Sequence, residues 1–151
     1  HEVELALAIG RDGADISEAD APGFVFGCAV ALDMTRRDLQ AAAKAARRPW
    51  DLGKDVEGSA ILAPILPVAP EGPPASGRIR LSVDGALRQD GDLAEMVWPP
   101  SALIAHISRF YRLRPGDLIL TGTPAGVGAV ARGARIEAQI EGLPPLAVTI
   151  V

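Results

Sequence analysis

The sequence predicts an α+β fold dominated by antiparallel sheet, and three observations carry that expectation. Segments of strand character outnumber segments of helical period. The stretch 78–89 alternates through Ile79, Leu81 and Val83, breaks at Asp84-Gly85 and resumes at Leu87, which is a strong hairpin signature. The closing stretches 135–140 and 146–151 alternate in the same way around Glu141-Gly142-Leu143-Pro144-Pro145. Hairpins, rather than strand–helix–strand units, organise the chain.

Taken in order, residues 2–9 form a first strand, with apolar residues at Leu5, Leu7 and Ile9. Gly10 to Gly13 make a turn. Ser17 with Asp20 three residues later is a capping-box relative and predicts a short helix that ends near Pro22-Gly23. The uncharged run 24–32 suits a strand buried on both faces, with Asp33 at its end. Thr35 and Asp38 then cap a helix over 36–47, where Leu39, Ala42, Ala43 and Ala46 recur at helical spacing before Pro49. Residues 50–59 read as irregular. The apolar run 60–69 is bounded and broken by Pro64, Pro67 and Pro70, so it is at best an edge strand. A second helix over 101–111 carries the stripe Leu103, Ile104, Ile107, Phe110 and Tyr111. A short strand at 118–120 and a glycine-rich loop at 121–128 follow.

Composition sets the outer bounds. The chain has 151 residues, enough for one domain with a real core. It is 48% hydrophobic but only 4% aromatic, so Ala, Val, Ile and Leu must fill that core. A net charge of −4 and a pI near 5.1 argue against a nucleic-acid partner. No apolar run reaches the roughly 18 residues that a membrane-crossing helix needs. The single cysteine, Cys28, sits in an apolar run and fits a buried filler in a reducing compartment, for which the cytoplasm is the expectation. The chain opens inside a strand, and we read this as the sign of an upstream segment.

The residues with most chemical content lie at the very start. Glu2 and Glu4 are two apart in a strand, so they project from one face, roughly 7 Å apart. They are either water-screened surface acids or ligands of a hard dication, since Mg²⁺ and Ca²⁺ take oxygen ligands. Asp33, at the edge of the core, is the natural third carboxylate; its bland alternative is an acid bonding to a local turn. No histidine or cysteine cluster supports zinc. Arg37 and Gln40 share a helix face near Asp33. Lys54, between Gly53 and Asp55, is placed to stabilise an enolate, and Asp55 is expected to hold its pKa up.

Two other patterns are set aside. Gly126-Val127-Gly128-Ala129-Val130-Ala131 has the spacing of a dinucleotide-binding turn, but no helix pattern follows it. What remains is a loop of amides and hydroxyls, including Thr121 and Thr123, able to hold a carboxylate. His106 lies off the apolar stripe and reads as a surface residue. His1 points away from Glu2 and Glu4 and carries no assignment.

Four stretches together resemble the fumarylacetoacetate hydrolase family: residues 1–5 (HEVEL), 32–40 (LDMTRRDLQ), 49–54 (PWDLGK) and 120–128 (LTGTPAGVG). Residues 88–98 (RQDGDLAEMVW) look most like its fumarylpyruvate hydrolase and acylpyruvase branch. The resemblance implies a β-roll like the family's C-terminal portion, with two short helices, in a homodimer. It implies Mg²⁺ or Mn²⁺, with Ca²⁺ possible, on Glu2, Glu4 and Asp33. It also implies substrate contacts from Arg37, Gln40, Lys54 and Thr123, with Lys54 catalytic. The implied reaction is hydrolysis of the C–C bond of a 2,4-dioxo acid, such as fumarylpyruvate, to pyruvate and a carboxylic acid. Decarboxylation of oxaloacetate or isomerisation of an oxo acid on the same fold, and a non-catalytic metal-binding module, are the alternatives. Residues 1–151 are expected to form one catalytic domain, with the family's water-activating His-Glu pair on an upstream lid. Val56 stands where relatives commonly carry an aromatic residue, which bears on substrate fit.

Overall fold

The computed structural model describes residues 1–69 and 71–151. Two antiparallel sheets pack face to face over one core. In the first, β1 (Val3–Ile9) lies between β2 (Val25–Asp33) and β7 (Leu118–Leu120). Two short strands, β3 (Ala60–Leu62) and β4 (Leu66–Pro67), pair with the outer edge of β2. The second sheet has the order β6-β5-β8-β9, with β5 at Arg78–Val83, β6 at Ala86–Asp92, β8 at Arg135–Ile140 and β9 at Leu146–Thr149.

The pattern of side chains explains the packing. Val3, Leu5, Leu7 and Ile9 of β1 and Cys28, Val30 and Leu32 of β2 meet Ile79, Leu81, Ile136, Ala138 and Ile140 of the second sheet in the main core. On the opposite face of the first sheet the residues are small. Ala6 pairs with Ala29, and Ala31 pairs with Glu4. Leu120 and Leu62, from the flanking strands, cover these alanines. Residues 27–32 are therefore buried on both faces, as their uncharged sequence requires, while Phe26 is left 56% exposed.

The helices differ in detail from the sequence expectation. There are three short ones rather than two: α1 (Arg37–Ala45), α2 (Asp51–Lys54) and α3 (Pro100–Ser108). α2 is a single turn within the stretch read as irregular, and its Gly53 lies against the Gln40 backbone. The helix expected after Ser17 is instead a turn closed by Ser17 Oγ donating to Asp20, followed by a 3-10 turn at Ala21–Phe24. α3 stops at Ser108, which leaves Phe110 and Tyr111 exposed rather than on a buried stripe. Pro70, the third proline of the broken run, lies outside the described residues.

A β-bulge in the second sheet has consequences for the site. Leu81 pairs with Gln89 and Ser82 with Leu87, so Arg88 is the extra residue on β6. The two-residue Asp84-Gly85 turn sets Ala86 opposite Val83 and Leu87 opposite Ser82, so Leu87 faces outward and is 57% exposed; the bulge then brings Gln89 opposite Leu81, where it is fully buried. The glycine loop packs directly on this bulge. Gly126 has a φ of +103°, and a Cβ there would lie 2.0 Å from the Arg88 carbonyl oxygen. We expect Gly126→Ala to destabilise the protein by about 2 kcal/mol or more, from a disfavoured φ combined with overlap; chemical denaturation with a fitted midpoint measures it.

Candidate metal and substrate site

Strand register assembles the acids. β1 and β2 pair with Val3 opposite Leu32, and the Asp33 amide donates to the Glu2 carbonyl at 2.9 Å. Asp33 therefore sits across from Glu2, on the face that also carries Glu4. Oxygens of Glu2, Glu4 and Asp33 lie within 4.8 Å of one another. Glu2 and Glu4 are buried, and Asp33 is half-buried at the strand end.

Three buried or half-buried carboxylates at this separation demand positive charge. The chain supplies it from the two helices after β2. Lys54, the last residue of α2, donates to Asp33 Oδ2 at 2.6 Å, Glu2 Oε2 at 2.8 Å and Thr35 Oγ1 at 2.9 Å. Arg37, at the start of α1, donates to Glu2 Oε1 at 2.6 Å and to Gln40 Oε1 at 3.0 Å. The Arg36 amide donates to the Gly53 carbonyl and ties the two helices together. Arg37, Gln40 and Lys54 thus stand in one constellation with Glu2 and Asp33.

The electrostatics separate the two glutamates. Burial alone would raise the Glu2 pKa, but the Lys54 ammonium and Arg37 guanidinium outweigh it and hold the carboxyl below its ordinary value. Glu4 has neither cation bonded to it. Burial pushes it up to about 7, with Asp33 and Glu2 adding to the rise, although the Gly122 amide donates to Glu4 Oε2 at 2.7 Å. Burial would lower Lys54, yet its bonds to Asp33 and Glu2 raise it overall, so it remains an ammonium. Asp55, expected to play that part, is not among its hydrogen-bond partners; the two site acids take its place.

The donor set fits a hard dication. It offers three carboxylates, no sulfur and no imidazole within the cluster, and the Lys54 ammonium already stands between two of them. Thr123 lies in the glycine loop, where its hydroxyl donates to the Val3 carbonyl at 2.8 Å. The same loop lines a cavity of about 370 Å³ with Ile79, Leu93 and Met96. His1 is buried and contacts Gln89, whereas His106 is exposed between Trp98 and Phe110. Sequence reasoning missed Thr35, Gly122 and Gln89. A polar residue two positions after Leu87, at an apparent core position, was the one available signal for Gln89.

A family model described as fumarylacetoacetate (FAA) hydrolase C-terminal matches residues 1–151. The chain belongs to this family. It is 43% identical over 151 residues to a fumarylpyruvate hydrolase of Ralstonia sp, covering 99% of this chain and 78% of that protein. It is 46% identical over 143 residues to a mitochondrial oxaloacetate tautomerase of Oryza sativa subsp. japonica, covering 95% of this chain and 63% of the relative. Among solved structures, the fumarylpyruvate hydrolase of Pseudomonas aeruginosa in complex with Mn²⁺ and pyruvate superposes with a TM-score of 0.96 at 47% identity. That match covers 99% of this chain and 64% of the neighbour, so the chain spans about two thirds of that fumarylacetoacetate hydrolase family structure.

Glu4→Gln keeps an acceptor for the Gly122 amide and removes one carboxylate of the candidate metal site. We expect it to abolish tight Mn²⁺ binding in calorimetry while the metal-free melting temperature is retained; unchanged affinity would remove Glu4 from the site.

Proposed function

We propose that this chain is the metal-binding catalytic portion of an acylpyruvate hydrolase, with fumarylpyruvate the first substrate to test. The observation that carries the reading is the convergence of Glu2, Glu4 and Asp33 beside Lys54, Arg37 and Gln40. The Pseudomonas aeruginosa enzyme, a fumarylpyruvate hydrolase crystallised with Mn²⁺ and pyruvate, supports it. The three carboxylates are the proposed ligands of Mg²⁺ or Mn²⁺. When bound, such an ion supplies Lewis-acid polarisation and a template for the oxygens of an oxo acid.

The chain's own residues account for much of the remaining work. Arg37 and Gln40 present a guanidinium and an amide to the substrate's carboxylate, a pairing that favours planar recognition. Lys54 has all three of its protons engaged by Glu2, Asp33 and Thr35. Were a bound dication to engage one of those carboxylates, Lys54 would have an N–H to offer the 2-keto oxygen. That oxygen gains negative charge as water adds to the acyl carbon and the C–C bond to that carbon breaks. This leaves the carboxylic acid and a pyruvate enolate that takes up a water-derived proton at carbon; a fixed ammonium stabilises the enolate oxygen. Because its pKa is raised, Lys54 acts as a cation and not as a proton-abstracting base.

The likeness to an oxaloacetate tautomerase favours a second reading, in which the same residues stabilise an enolate without hydrolysis. The assay uses the chain with any flanking sequence its gene supplies, charged with Mn²⁺. Equal amounts of pyruvate and fumarate from fumarylpyruvate support the first reading. Keto–enol interconversion or CO₂ release from oxaloacetate, without cleavage of fumarylpyruvate, supports the second. Metal binding with no turnover of either substrate points to a binding module. In the active case, Lys54→Met is expected to lower kcat by about 100-fold or more, as loss of an oxyanion donor does, with Mn²⁺ affinity retained in calorimetry.

A further inference from the structure

β1 loses its β7 partner just before the acids. The β1–β7 pairing covers Ala6 to Ala8, and the Thr121 amide makes one further bond to the Leu5 carbonyl. The chain then turns away at Gly122, with a φ of +94°. Val3, between Glu2 and Glu4, therefore has no strand beside it on that edge. Two side chains take the strand's place. Gln89 Oε1 accepts from the Val3 amide at 3.1 Å, and the Thr123 hydroxyl donates to the Val3 carbonyl at 2.8 Å.

The proton bookkeeping of this network leaves no choice. Gln89 Nε2 lies 2.8 Å from the Pro124 carbonyl, which only accepts, so this end of the amide is the donor. It also lies 2.8 Å from Thr123 Oγ1, which must accept there. The one hydroxyl proton of Thr123 then goes to Val3. Gln89 Oε1, in turn, also lies 3.3 Å from His1 Nδ1. The amide is fully buried and its bonding capacity is filled. The Arg88 bulge is what turns it inward.

We infer that Gln89 and Thr123 are positioning residues that hold the Glu2-Val3-Glu4 backbone in place, and that the Thr123 hydroxyl is not a donor to substrate. The inference rests on the metal reading above only for its functional consequence. An anionic oxo acid needs donors, and the hydroxyl proton of Thr123 is already given to Val3. Thr123 thereby acts through the strand that carries two carboxylates. The same loop also brings the Gly122 amide to Glu4, so loosening Thr123 loosens Glu4 from two directions.

The test compares Thr123→Val, which keeps the shape, Thr123→Ser, which keeps the hydroxyl, and Gln89→Leu. Amide hydrogen exchange at Val3 and Gly122 is measured in the metal-free protein, followed by Mn²⁺ titration and, with substrate, the split between KM and kcat. Thr123→Val and Gln89→Leu should each speed exchange at both amides and weaken Mn²⁺ binding by about tenfold, the usual scale for residues that orient ligands. Their combination should be no worse than the stronger single change, and Thr123→Ser should restore the parent values. If Gln89→Leu fails to fold, the two Thr123 variants decide alone. Unchanged exchange and Mn²⁺ affinity in Thr123→Val, with only KM raised, would overturn the inference in favour of a direct substrate contact. Failure of the parent itself to bind Mn²⁺ would end the metal reading, while the exchange rates would still decide whether the network holds the strand.

Discussion

Everything at the site depends on the pairing of β1 with β2. Offsetting that ladder by one residue would place Asp33 on the opposite face from Glu2 and Glu4, because side chains alternate across a sheet. With the observed register, three carboxylates converge within 4.8 Å at one corner of the sheet. Such a concentration of charge does not persist without cations, and the two short helices exist in the position to supply them. Arg37 and Lys54 come from elements that contribute little to the main core but bond directly to the acids.

The two faces of the first sheet divide the work. Large aliphatic residues on one face anchor it to the second sheet, while alanines on the other give a low floor running up to the acids. The floor belongs to the same alternation that sets Glu2 and Glu4 side by side. Core packing and ligand placement are thus consequences of one periodicity. The family relationship, with its likeness to the Pseudomonas aeruginosa fumarylpyruvate hydrolase across 99% of the chain, accords with this architecture.

Much of this was legible in the residues. Alternation located β1, β5, β8 and β9 to within a residue or two, and the uncharged run located β2. Glu2, Glu4, Asp33, Arg37, Gln40 and Lys54 were singled out by spacing and by likeness to known motifs, and they do converge. Other features were hidden for physical reasons. A bulge is a break in period that alternation cannot announce, so Gln89 was passed over. The one-turn α2 is too short to show helical periodicity. The charge partners of Lys54 are remote in sequence, so local reading offered Asp55 instead of Glu2 and Asp33.

The helix α1 has no buried residue. It and α2 are joined to each other through Gly53, and they meet the body at Glu2 and Asp33 through ion pairs. An attachment of this kind is held by charge more than by apolar area. Dissolved salt screens it, whereas the aliphatic layer between the two sheets is indifferent to such screening.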